Sequence, residues 1–235
     1  YWAYNSLLNT VAGNVSGSLS GSATRIELCD NANSSLTVTG NMTFNSTTTA
    51  ANSNLYIADR GDITINGDFS YTEASSGANS HFRMANGTDA SVVIAGPFTY
   101  TQNATGLTDT RAYIGNQGDI TFNGTVTVAN NSAATNNHIY FNYNVNSVNL
   151  YNENIILEAT SASSDGIRFG EATGSGTLAA TKTVTIGAGG FVAGDLRFRN
   201  FAQIGATAQA ITCTGTARIY NYDSNWGGDV TFVAP

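Results

Sequence analysis

Lysine is nearly missing from this 235-residue chain. Lys182 is the single one, and lysine and arginine together number 9 against 16 acids. A net charge of −7 with no basic cluster excludes a nucleic-acid binder, because nothing is there to neutralise phosphates. Arg25 and Arg111 stand isolated in sequence. Proline occurs only at Pro97 and Pro235, so little interrupts strand pairing. No apolar run approaches the roughly 18 residues of a membrane-spanning helix, so no membrane span is expected. No signal-peptide pattern is visible, and the chain begins at Tyr1 inside the repeat described below, as expected of a mature or excised segment. There is no nucleophile elbow, HExxH, phosphate loop or CxxC, and no cofactor is implied. The acids are scattered, whereas a polysaccharide lyase or hydrolase needs a clustered set on one face.

Cysteine is scarce as well. Cys29 follows the first strand of the first clear repeat, and Cys213 lies on an inward position six repeats later. At about 4.8 Å per stacked strand they sit on the order of 29 Å apart. A disulfide needs Cα atoms within about 7 Å. Both are expected as free thiols, with Cys213 buried as a small hydrophobe.

What is abundant is Thr, Ser, Asn, Gly and Ala. Only 11% of residues are charged, a composition that suits disorder, but 41% are hydrophobic and they alternate. A degenerate repeat of about 27–30 residues runs through nearly the whole chain, as in NLYIADRGDITINGDFSYTEASSGANS and TRAYIGNQGDITFNGTVTVANNSAATN. Each repeat holds three short alternating segments. The first supplies the inward pairs Ile26/Leu28, Leu55/Ile57, Phe82/Met84, Ala112/Ile114, Ile139/Phe141, Ile167/Phe169 and Leu196/Phe198. The second supplies Leu36/Val38, Ile63/Ile65, Val92/Ile94, Ile120/Phe122, Val148/Leu150 and Ile211/Cys213. The third supplies Met42/Phe44, Phe69/Tyr71, Phe98/Tyr100, Val126/Val128 and Val184/Ile186. A glycine follows the second segment at Gly40, Gly67, Gly96, Gly124 and Gly215, and Asn152 takes that place once. Gly and Asn suggest a sharp corner at positive φ.

The expected fold is all-β: one parallel β-helix of about eight triangular coils over residues 1–235. Residues 1–24 form a degenerate first coil, 25–194 the regular coils and 195–235 irregular last coils. One coil cannot bury its apolar face alone, so stacking supplies the stability. Neither end shows a cap. The edges at Val230-Thr231-Phe232 and near Val11-Ala12-Gly13 should therefore present unpaired backbone. The partners expected are further coils or subunits of the same protein, end to end.

Outward residues form columns. The first strand places Tyr56, Arg83, Tyr113, Tyr140, Arg168 and Arg197 in one line, flanked by Glu27 and Tyr220. Such neighbours can stack through cation–π contacts. The line reads either as a stabilising ladder or as an exposed strip that binds sugars or a partner. The other outward residues are mostly hydroxylated: Thr37, Thr64, Thr121, Thr212 and Thr231, then Thr43, Ser70, Thr99, Thr127 and Thr185, interrupted by Val93, Asn149 and Ile156. Regular Thr arrays also occur on ice-binding solenoids. His81 and His138 share one column with Arg111 between them, about 9.6 Å apart, too far for one metal ion, and are expected as exposed strand histidines. Asp62 and Asp119 open the second strand as GDIT, where oxygen ligands can converge on calcium. Only two coils carry that motif, and no metal ligand is assigned. N-x-S/T triplets at Asn33, Asn41, Asn86, Asn103 and Asn123 would carry glycans only in a glycosylating source.

The units GDITINGDFSYT and GDITFNGTVTVA resemble repeats of large secreted bacterial surface proteins, the filamentous-haemagglutinin-like adhesins and giant repetitive cell-surface proteins. The resemblance covers roughly residues 25 to 194. It implies an extracellular or cell-surface location, a long rod and an adhesive or scaffolding role without fixed catalytic residues. Two other classes stay open: a carbohydrate- or surface-binding solenoid, ice binding included, and a polysaccharide-active enzyme.

Overall fold

A computed structural model describes residues 8–21, 24–105, 109–144 and 146–235. Among them every regular element is a strand, and no helix is long and apolar enough to cross a membrane. All pairing is parallel, and each strand pairs with its equivalent one turn away. Two sheets hold eight strands and a third holds seven. Together they wind a triangular β-solenoid of about seven turns, close to the eight expected.

The alternation dictates the core. On the first side Leu55, Ile57, Phe82, Met84, Ile139, Phe141, Ile167 and Phe169 are buried, and Ile26 is partly covered. Identical positions stack on one another, so rings form axial columns. Phe141, Phe169 and Phe198 lie with centroids 4.8 and 5.2 Å apart and nearly parallel. Phe69 and Phe98 stack at 5.3 Å, and Tyr71 and Tyr100 at 5.6 Å. Such pairs add about 0.5–1.5 kcal/mol each beyond their buried area.

The glycine after the second strand has a different cause from the one its sequence suggests. Gly40, Gly67, Gly96 and Gly124 are not among the positive-φ residues. They are close approaches: a Cβ on Gly96 would lie 2.8 Å from the carbonyl carbon and oxygen of Gly67, one turn below. Asn152 is no substitute for them. Its amide donates to Asn123 Oδ1 at 2.8 Å, one residue before the glycine column. Positive φ falls instead just past the first strand, at Cys29, Ala58, Ala85, Gly115, Asn142, Gly170, Asn200 and Asp223. A second such column, Asn52, Asn79, Asp109 and Asn136, precedes that strand. Asn and Asp tolerate this conformation best, and the buried alanines there bear a cost of about 1–2 kcal/mol each.

Two register expectations are corrected. On the second side Asn149 and Tyr151 point inward, not Val148 and Leu150; Leu150 is 39% exposed. Tyr151 wins because its ring stacks on Phe122 at 5.2 Å. Asn149 follows it inside, where its Nδ2 donates to the Ile114 carbonyl at 3.2 Å and the Tyr151 hydroxyl at 3.3 Å while its Oδ1 is buried without a partner. Leu150, rather than Asn149, is therefore what interrupts the outward column on that side. Near the end, Ile211 and Cys213 are buried as expected, but on the third side: Gln209–Thr212 lies against Val184–Phe191 and pairs with Val230–Val233. The second strand of that turn is Phe201–Gln203, and Thr212 and Thr231 belong to the third side. Gly215, at φ 67, follows the third strand and is no member of the glycine corner. Of the degenerate first coil, residues 1–7, 22 and 23 lie outside the described residues; Asn9–Val11 and Val15–Leu19 fit the stack, with Val15 in register with Met42. Cys29 and Cys213 are buried free thiols, each raised to about 11 by burial.

Candidate functional site

The Tyr–Arg column exists as the sequence places it. Glu27, Tyr56, Arg83, Tyr113, Tyr140, Arg168, Arg197 and Tyr220 stand on consecutive rungs. The guanidinium of Arg83 lies between two rings, 5.4 Å from Tyr56 and 5.5 Å from Tyr113. Tyr113 and Tyr140 stack at 5.4 Å, and Arg168 caps Tyr140 at 5.8 Å. Arg25 covers Tyr56 at 4.4 Å. Tyr143, from the following corner, sets its ring edge-on to both Tyr113 and Tyr140 at 4.8 Å. Tyr56, Tyr113 and Tyr140 are consequently only 7–8% exposed. The exposed strip is corrected to a covered ladder: each ring is sealed by cations of the adjoining rungs. Burial also raises the hydroxyls of Tyr113 and Tyr140, the latter to about 12.

Arg168 and Arg197 are like charges on neighbouring rungs, and acids resolve the repulsion. Asp195 meets Arg168 at 2.9 Å and Arg218 at 2.8 Å, while Glu171 meets Arg197 at 3.0 Å. Beside this network opens a polar cleft of about 360 Å3 lined by His138, Asp165, Arg168, Asp195, Thr216 and Arg218. His138 stacks on Tyr140 at 5.3 Å and lies 3.9 Å from Asp165. Burial, then the nearby Arg168 charge, lowers its pKa to about 4, so it is neutral at physiological pH. His81, 3.6 Å from Asp109, is likewise lowered, first by burial. Both histidines are thus largely covered, at 16% and 18% side-chain exposure, contrary to the exposed positions expected of them. Arg111 lies between them in the column, paired with Asp109. Chemically the cleft offers hydrogen-bond donors and acceptors with its ion pairs already formed. That suits a neutral hydroxylated ligand better than proton transfer.

The GDIT aspartates turn out to pin register. Asp62 accepts from Ser91 N at 3.1 Å and Ser91 Oγ at 2.6 Å, and Asp119 accepts from Val148 N at 2.8 Å. They lie two rungs apart and share no ligand geometry. An acid group that the sequence did not reveal lies elsewhere. Glu27, Asp30 and Asp59 bring one oxygen each within 4.8 Å of one another. Arg25 contacts Glu27 there, and Arg60 acts on Asp30. Burial, then Asp59, raises Asp30. The available signal was the column that follows the positive-φ corner, which continues as Asn86, Asn116 and Asn144, amide to amide, at 2.6 and 3.1 Å.

Four of the five candidate glycosylation asparagines are engaged in such ladders. Asn41 accepts from Asp68 N, Asn103 from Asn131, Asn123 from Asn152, and Asn86 bonds on both sides.

On the third side Ser16, Thr43, Ser70, Thr99, Thr127 and Thr185 do align, with Ser70 Oγ donating to Thr43 Oγ1 at 3.1 Å. Ile156 interrupts them between Thr127 and Thr185. Comparison with family models, curated proteins and solved structures finds no match to this chain.

Proposed function

We propose that this chain is a non-catalytic structural and adhesive module of an extracellular, cell-surface rod. The observation that supports this reading best is the closure of its outward ladders. The charged and aromatic groups of the first side are engaged by one another along the axis. A rod gains from that arrangement, because every rung braces the next. An enzyme needs titratable groups held ready for substrate. The test is to raise antibodies against the purified chain and label intact source cells for electron microscopy. Label along surface filaments is expected. Purely cytoplasmic label, or release of sugars from polysaccharides by the purified chain, would sink the reading.

A second reading has its own support. The cleft at His138, Asp165 and Thr216 is polar and internally neutralised, and the hydroxyl line of the third side is regular over several rungs. Both fit a carbohydrate- or surface-binding role within the same rod. Glycan-array binding lost in Thr216→Trp would assign the cleft. Thermal hysteresis lost in Thr99→Lys would assign the hydroxyl face to ice.

A further inference from the structure

The corner after the first strand alternates in length. In the turns of Leu28, Met84 and Phe141 it runs over six residues, 29–34, 85–90 and 142–147; in the turns of Ile57 and Ile114 it runs over four, 58–61 and 115–118. Both short corners end in the glycine of GDIT. The two additional residues of a long corner form an exposed turn. The Ser34 amide donates to the Asn31 carbonyl at 2.9 Å and the Ala90 amide to the Gly87 carbonyl at 3.1 Å, with Ala32, Asn33, Thr88 and Asp89 exposed at the tips. The short corners are drawn in against the turn before. The amides of Arg60 and Gly61 both donate to the Cys29 carbonyl at 2.9 Å, and those of Gln117 and Gly118 to the Ala85 carbonyl at 3.2 and 3.0 Å. No side chain fits beneath them: a Cβ on Gly61 would lie 2.2 Å from the Ser34 carbonyl oxygen, and one on Gly118 2.1 Å from that of Ala90. Long and short corners in alternation leave notches. The first, about 280 Å3, is lined by Ala32, Arg60, Gly87, Thr88, Asp89 and Gln117. The second, about 190 Å3, is lined by Thr88, Gln117, Asn144 and Asn146. They share Thr88 and Gln117, so together they make one groove along the axis.

The polar groups of this groove differ from the ladder beside it. Asn86, Asn116 and Asn144 bond amide to amide. Among the described residues, the side chains of Arg60, Thr88, Asp89 and Gln117 have no hydrogen-bond or ion-pair partner, and the Arg60 charge is felt by Asp30 without a contact between them. One cation and one anion leave the first notch neutral, and the second holds amides and a hydroxyl. Asp89 and the acid group of Glu27, Asp30 and Asp59 disfavour a polyanion. Guanidinium, carboxamide and carboxylate each offer donors or acceptors in pairs, which suits adjacent sugar hydroxyls. The notch floors at Arg60 and Gln117 stand two rungs apart, about 9.6 Å. That spacing is comparable with one disaccharide of an extended glycan.

We propose that this groove binds a neutral, linear polysaccharide lengthwise, with every second sugar seated in a notch. This deepens the carbohydrate-binding reading and places the sugar on a different corner from the His138 cleft. The experiment titrates the whole chain calorimetrically with cellohexaose, xylohexaose and mannohexaose, with their disaccharides, and with an oligogalacturonate of equal length. At least one neutral hexasaccharide should bind about tenfold tighter than its disaccharide, because only the longer chain reaches both notches. Gln117→Ala, which alters both notches, should weaken it about tenfold, and Arg60→Ala should narrow the gap between hexasaccharide and disaccharide. Both residues are exposed, so the far-ultraviolet spectra should match wild type. Thr216→Trp should leave this binding intact. Hexasaccharide binding lost in Thr216→Trp and kept in Gln117→Ala would overturn the groove and leave the cleft standing. Tighter binding of the oligogalacturonate would overturn the neutral class. No binding of any neutral hexasaccharide would overturn the proposal, and self-association of the chain lost in Arg60→Ala would then give the notches to the turns of a second copy.

Discussion

Phe169 shows how much of the stability rests on single rings. It is fully buried, stacked on Phe141 and Phe198 and edge-on to Tyr151 and Phe201 at 6.0 and 5.5 Å. Rungs above and below hold the cavity open, so the site cannot collapse. Phe169→Ala should cost about 3–5 kcal/mol in urea unfolding, and Phe141→Ala added to it should be less than additive because the two share one stack. At the surface His138 makes a pH prediction. Its folded pKa, about 4, lies below the ordinary value of about 6.5. The unfolded chain therefore takes up the proton first. The stability due to neutral His138 is present above about pH 6.5 and is lost as pH falls towards 4. Glu73 acts oppositely: its carboxyl is raised, first by burial, so its contribution is present at low pH and declines as pH rises. Melting curves between pH 7 and 4 should thus fall less steeply in His138→Gln than in wild type. Identical slopes would show that the imidazole is not desolvated.

At the scale of the element, a turn is three strands and the corners that set their spacing. The glycine column after the second strand tests this. A methyl group on Gly124 would fall on the carbonyl of Gly96, which is backbone and cannot rotate away. Gly124→Ala should destabilise by about 1–3 kcal/mol, whereas Thr127→Ala on the outward face should stay within about 0.5 kcal/mol. Equal effects in chemical denaturation would mean that the corner is elastic. Most strands were legible in the sequence because both inward residues are apolar and both outward ones polar, as in Ile63-Thr64-Ile65. Val148–Tyr151 was not, because apolar side chains occupy both phases and only stacking on Phe122 selects one. The second strand of the last full turn escaped for another reason. It starts at Phe201, one residue after the strand Asp195–Arg199, so the corner loses its usual spacing and its glycine. Of the candidate site, the line of residues was legible and its burial was not. Cover comes from Tyr143 and from guanidiniums of adjoining rungs, and neither follows from alternation within one strand.

At the scale of the whole molecule the two ends differ in what they offer. Arg218–Tyr222 and Val230–Val233 each pair on one side only, and among the described residues nothing covers their outer edges. Beneath them Ile219, Trp226 and Phe232 pack on the core but are only partly covered, while Tyr222 and Val233 are each 46% exposed. At the opposite end Asn9–Val11 and Val15–Leu19 present the complementary edge of the second and third sheets. All pairing in the stack is parallel, so one end can extend the other only head to tail. A contact of that kind is heterologous and need not close into a ring. Open, flat, partly apolar edges recruit strands unless charge or proline blocks them, and neither stands at Val230–Val233. The expectation is concentration-dependent end-to-end association of the purified chain, seen as rods of increasing length by negative-stain microscopy and as growing sedimentation coefficients. Val233→Lys puts a charge on the exposed edge opposite Thr212 and leaves the buried Ile211, which lies opposite Phe232, untouched, so the far-ultraviolet spectrum should be unchanged. Association should weaken about tenfold, the equivalent of roughly 1.4 kcal/mol. A wild-type chain that sediments as a monomer at every concentration would refute stacking between copies. Rods that form equally well from Val233→Lys would place the contact on a side of the solenoid instead of its end.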